Sequence, residues 1–187
     1  MIQSAVSIKS WIARAPSVEQ VRPSRCSGCG AASRPLGGPL VVHGQGLLSR
    51  QVRGVLDVDA APGVVVIAVR RYECQHCRTV VTVVPACMLA RRLYSAPSIA
   101  LALHLWLAMA HSDLEVRRRV CAWQLRGPSG RGWAQLYRWA RTAGSLFFLT
   151  STMTVERVLV SLRALAPVGM HASPLALQVF EGACHTR

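Results

Sequence analysis

Four cysteines have the types and spacing that most plainly imply chemistry in this chain. "RCSGCG" at 25–30 and "RYECQHC" at 71–77 each hold two thiols three positions apart, so Cys26, Cys29, Cys74 and Cys77 form a CxxC–44 residues–CxxC array. A two-residue spacer lets both sulfurs of a pair converge on one ion, and Zn²⁺ takes four soft ligands in a tetrahedron. Gly30, directly after Cys29, supplies the freedom for positive φ that such a knuckle needs. The array predicts one structural Zn²⁺ per chain, in a shell closed by four thiolates. A thioredoxin-like pair would need a βαβ setting, and neither pair opens a helix after a strand. Two local disulfides would strain CxxC loops and need an oxidising compartment. His43 and His76 are expected to face solvent or nucleic acid. Cys87, Cys121 and Cys184 are expected to be small buried apolar residues.

Charge sets the partner class. Basic residues number 22 against 8 acidic ones, a formal net charge of +14, and Lys9 is the one lysine among them. Arginine usage at that ratio also follows from a GC-rich genome and is given no weight. The net charge persists whatever the codon bias, and a domain this basic attracts polyanions, nucleic acid first and an anionic membrane surface second. The most apolar run, "IALALHLWLAMA" at 99–110, is too short to span a bilayer, which takes about 20 residues. It reads as a buried helix. With seven cysteines and no apolar leader, the sequence points to a reducing compartment, and a cytoplasmic protein is expected.

Two different patterns must position these groups. Residues 1–24 carry a short apolar pattern, read as a leading segment and linker. From 25 to 87 the chain holds β-branched runs such as "GVVVIAVRRYEC" and "TVVTVVP", broken by Gly, Pro and Asp, which is strand-and-turn chemistry. From 95 to 144 the pattern is helical. A helix is expected over 98–110, and "SDLE" at 112–115 matches a capping box that should start a second at Asp113 and carry it to Trp123. A third is expected over 131–143 and a weaker fourth over 153–165. The segment from Pro167 shows no pattern and is expected to be loose. The fold class expected is α+β, a small β-rich zinc ribbon followed by a helical, helix-turn-helix-like unit.

Plotted at about 100° per residue, the third helix gathers Trp133, Leu136, Tyr137 and Ala140 on one face. Arg131, Gln135, Arg138 and Thr142 gather on the other. The second helix places Val116, Val120 and Trp123 opposite Arg117 and Arg118. In a helix-turn-helix the later helix enters the major groove, where Arg and Gln read guanine and adenine edges. Arg117, Arg118 and Arg119 would then lie against phosphates.

With both halves in hand, "CSGCG", "RYECQHCRT" and "GRGWAQLYRWAR" together resemble the N-terminal zinc-ribbon plus helix-turn-helix region of bacterial insertion-sequence transposases. Short proteins of unknown function encoded near mobile elements share this layout. The resemblance covers roughly 22–144. It implies sequence-specific binding of double-stranded DNA, with no membrane and no small-molecule substrate, and it allows a homo-oligomer. Full transposases of this kind carry a ribonuclease-H-like domain whose three carboxylates hold two metal ions. Here only Glu156 and Glu181 follow the third helix, so the resemblance is to the recognition region without its nuclease, and no catalysis is expected. Two rival readings stand beside it: an RNA-binding or ribosome-associated zinc ribbon, and a protein-interaction module with incidental charge.

Overall fold

The computed structural model describes residues 1–123 and 133–186. The fold is α+β, with a four-stranded sheet of order β1-β4-β3-β2 and, among the described residues, seven helices. The strands are β1 (Ile2–Gln3), β2 (Val42–Gly54), β3 (Gly63–Cys74) and β4 (Val80–Val84). The chain divides into two compact units. One comprises Met1–Gln51 with Val66–Ala90, the other Val52–Val65 with Arg91–Arg187.

In the first unit, β3 and β4 pair antiparallel with Tyr72 opposite Val81, and β1 joins β4 in parallel. Valines dominate these strands because a β-branched side chain packs well on a pleated, half-buried surface. Residues 1–24 belong to this packing and are not a separate linker. Ser7 caps α1 (Ile8–Ala13), and Trp11 is buried with its indole N–H donating to the Ala68 carbonyl at 2.8 Å. The following segment is tied to β3 by Arg70, which donates to the Pro16 carbonyl, and by the Tyr72 hydroxyl, which donates to the Val18 carbonyl. These ties fix the strand that ends at Cys74.

In the second unit, α2 (Ala96–Leu107) is the centre, and every residue from Ala96 to His104 is buried. A helix apolar all round has to be enclosed, and α3, α4, α6 and α7 all pack on it. The Ser95 hydroxyl accepts from the Ser98 N–H at its start. Ser98 bonds both the N–H and the carbonyl of Val55. The capping box at Ser112 and Glu115 is formed and starts α3 (Asp113–Val120), which stops short of Trp123. The third expected helix is α4 (Ala134–Arg141), continued by the short α5 (Ala143–Leu146), and the fourth is α6 (Val155–Ala164). Residues 131 and 132, where the third helix was expected to start, lie outside the described residues.

The segment from Pro167 is ordered, contrary to expectation. After a 3₁₀ turn at Val168–Met170 it forms α7 (Leu175–Gly182), which buries Val179 and Phe180 and packs against α2 and α6. Most of its residues are apolar, but a stretch of two turns is too short to announce a helix alone; the two partner helices supply the surface that covers Val179 and Phe180. The seam of α4 also differs from the plotted one. Leu136 and Trp139 are buried while Tyr137 is exposed; the two buried residues are three positions apart and so share one face of the helix. Trp139 stacks edge-on with Tyr94 and Trp133, at 4.9 and 5.0 Å between ring centres. Trp123, expected beside Val116 and Val120, is exposed and outside the helix.

A candidate metal centre of two matching knuckles

The four cysteines converge within the first unit. Cys26 and Cys77 sulfurs lie 3.6 Å apart, Cys29 and Cys74 sulfurs 3.7 Å apart, and all four fall within 4.8 Å of one another. A Zn–S bond of about 2.3 Å at tetrahedral angles separates two sulfurs by about 3.8 Å. The cluster can therefore hold a metal ion. Cys26 and Cys74 are buried, and Cys29 and Cys77 are exposed.

Backbone geometry repeats from one pair to the other. The N–H of the residue after the second cysteine returns to the carbonyl of the first, Gly30 to Cys26 at 3.0 Å and Arg78 to Cys74 at 2.9 Å. The first cysteine of each pair then closes the turn with its own N–H, Cys26 to Ala31 at 2.9 Å and Cys74 to Thr79 at 3.0 Å. Both turns use positive φ at the same place, 75° at Gly30 and 62° at Arg78. Glycine takes that conformation freely, whereas arginine does so at a cost of roughly 1 kcal/mol. Arg78 is held there by an ion pair to Glu73 at 2.8 Å and a bond to Gln75 at 2.9 Å. The second turn is also the β3–β4 connection, so sheet register and ligand placement are set together.

Hydrogen bonding distinguishes the sulfurs. The Thr79 hydroxyl, 3.2 Å from the Cys77 sulfur, and the Thr79 N–H stabilise the thiolate and lower its pKa to about 6. At Cys29 the Ala31 N–H acts in the same direction. It is outweighed by the Cys77 sulfur, burial and the sulfurs of Cys74 and Cys26, which push that thiol up to about 11. Thiols must lose their protons to bind a metal, so affinity falls as pH falls.

Gly28 fills the space between the knuckles. Its N–H points to the Cys26 sulfur at 3.3 Å, and a Cβ there would lie 2.4 Å from Thr79 Oγ1 and 3.0 Å from Thr79 Cβ. Gly28→Ala should therefore displace Thr79 from Cys77 and lower metal affinity several-fold, at a stability cost of about 1 kcal/mol. Competition against a metal-binding dye measures it; a Gly28→Ala variant with unchanged affinity would show that Thr79 has no part in the site.

His43 and His76 are both exposed, and His43 engages the Leu40 carbonyl. Among the described residues the free thiols are the four of the cluster and Cys121, which is buried and accepts from the Tyr94 hydroxyl. Cys87 is buried and Cys184 half-buried, and neither is a free thiol, which corrects the expectation that they are simply small buried apolar residues.

The residues expected at DNA lie in the second unit. Arg138 and Thr142 are exposed on or just after α4, and Gln135 is partly exposed; Arg131 lies outside the described residues. The Thr142 hydroxyl donates to the Arg138 carbonyl. On α3, Arg118 is exposed and Arg117 partly buried. Arg119 donates to the carbonyls of Ala60 and Val58 and stands 3.6 Å from Asp59, so it pins a loop. A tight helix-turn-helix joins its helices by about three or four residues. Here α3 ends at Val120, α4 begins at Ala134, and both pack on α2. Asp113, in the first turn of α3, accepts from the Trp133 N–H that opens α4. No helix among the described residues is long and apolar enough to cross a membrane.

No protein-family model, curated protein or solved structure matches the chain.

Proposed function

We propose that this chain binds double-stranded DNA, with one structural Zn²⁺ on Cys26, Cys29, Cys74 and Cys77. In this reading it resembles the recognition region of an insertion-sequence transposase, as a truncated, accessory or domesticated form. The observation that carries the reading is the net charge of +14, part of it displayed on Arg118, Arg138 and Arg141, exposed on two helices. A four-thiolate shell leaves no position for a reacting water, so zinc here serves the fold, and the protein is read as a binder, not an enzyme. Arg138 and Gln135 are the candidates for base contact. Arg118 is the candidate for phosphate contact. Arg119 is withdrawn from that group because its guanidinium is engaged with Val58, Ala60 and Asp59.

Fluorescence anisotropy with labelled duplexes across a salt series tests this. Arginines that neutralise phosphates release counterions, so the logarithm of affinity should fall linearly with the logarithm of salt. Arg138→Ala should cost on the order of 1–2 kcal/mol on the best sequence and relax base preference. Arg118→Ala should weaken all sequences alike. A flat salt response would remove the DNA reading and favour a protein-interaction module. Preference for structured RNA competitor would favour the RNA-binding alternative.

A further inference from the structure

Two exposed aromatic residues bracket the arginines of α4 along the stretch that α4 and α5 form. Tyr137 is 44 % exposed and Phe148 57 % exposed. Between them Arg138 and Arg141 are exposed as well, and neither guanidinium has a partner among the described residues. Tyr137 and Arg141 are four positions apart and share one face of α4. From Ala134 to Val155 the chain holds no acidic residue.

Phe148 stands where an aromatic residue is least expected. The Leu149 N–H returns to the Gly144 carbonyl at 2.8 Å, and the Phe148 N–H to the Ser145 carbonyl at 3.4 Å. This is the paired closure of a Schellman motif, whose left-handed position ordinarily takes glycine. Phe148 occupies it at a φ of 56°, a conformation in which a bulky residue is an outlier. Burial does not offset that strain, because more than half of the residue faces solvent. Strain kept at an exposed aromatic points to a partner outside the chain. Tyr137 is steadied from its edges: Trp106 meets it at 5.3 Å with the rings 80° apart, and the Asp113 carboxylate stands beside its hydroxyl.

We infer that this stripe of α4 and α5 is a stacking platform for unpaired DNA bases. Aromatic rings stack on bases of any sequence, and cations between the rings meet the phosphates that join the stacked nucleotides. Bases inside a duplex are closed off by their own stack, so only a single strand or an opened end can use Tyr137 and Phe148. Charge selects the occupant. A second copy laid on this face across a two-fold axis would bring the same unpaired arginines together, and an apolar protein surface would bury them without partners. The inference rests on the DNA reading and deepens it: the favoured ligand is a duplex with a single-stranded extension.

Fluorescence anisotropy on the full zinc-loaded chain compares three labelled DNAs. One is a blunt duplex, the second carries a short thymidine extension, and the third carries an abasic extension with phosphates but no bases. The thymidine extension should tighten binding by about tenfold for each base stacked, and the abasic one should not reproduce this. Tyr137→Ala and Phe148→Gly should each lose about tenfold on the extended DNA and leave the blunt duplex unchanged, whereas Tyr137→Phe should keep the preference. Phe148→Gly should melt no lower than the parent, because glycine takes the left-handed position freely, so its loss is not one of folding. Equal affinity for all three DNAs would overturn the platform while leaving the DNA reading intact. An extension preference that survives removal of the bases would assign the contact to phosphate and overturn stacking. Tighter binding of the same extension made of RNA would overturn the assignment to DNA. Absence of any DNA binding would overturn both readings, and a dimer in sedimentation that Phe148→Gly makes monomeric would then assign the face to a second copy.

Discussion

Cys74→Ser will abolish stoichiometric zinc and unfold the first unit at temperatures where the parent is folded. Cys74 is the ligand most deeply built into the fold: it is 1 % exposed, ends β3, and holds the second knuckle through its own N–H and carbonyl. Free energies of binding for four-ligand structural zinc run to about 10–16 kcal/mol in small domains, and most of that is folding free energy. A serine oxygen is a harder and shorter donor than a thiolate, and it cannot restore the shell. Elemental analysis of protein purified without chelator should give one zinc per parent chain and well under that for the variant. Thermal melting should show the same order, and chelator should bring the parent toward the variant. Cys121→Ser is the control, since that thiol is buried outside the cluster and bonded to Tyr94. A Cys74→Ser variant that keeps full zinc and full stability would remove the proposed site.

The cluster is legible in the sequence because ligand spacing is a local signal and the strands beside it repeat β-branched residues. The capping box is legible for the same reason: Ser112 and Glu115 satisfy each other's backbone within one turn. Positive φ is readable at Gly30 and hidden at Arg78, where an ion pair holds a residue that the conformation does not favour. Burial of α7 is hidden because its apolar face acquires meaning only against α2 and α6. A wheel that centres the apolar face between Leu136 and Tyr137 misplaces the seam of α4, which runs through Leu136 and Trp139. Such a wheel leaves Trp139 off the apolar face, although its burial against Tyr94 and Trp133 is what seats the helix.

Gly182→Ala will destabilise the second unit by about 3 kcal/mol or more. Helix propensity alone gives the opposite sign, since Ala is favoured over Gly inside a helix by about 1 kcal/mol. Packing reverses it. A Cβ on Gly182 would lie 1.7 Å from the Leu162 carbonyl oxygen, 2.7 Å from its carbon and 3.3 Å from the Ala166 nitrogen. All three are backbone atoms at the end of α6, so no side chain can rotate away. The end of α7 must shift, and it would expose Val179, Phe180 and Leu162, which are now buried. Forced overpacking costs about 1–3 kcal/mol where side chains can yield, and more where they cannot. Denaturant unfolding of the two chains measures the difference. Gly169→Ala is the matched control, because a Cβ there meets nothing within 4 Å. α7 packs on α2, and α2 also carries α3 and α4, so the loss should be felt across the whole helical packing of the second unit. Unchanged or raised stability would show that α7 does not approach α6 this closely.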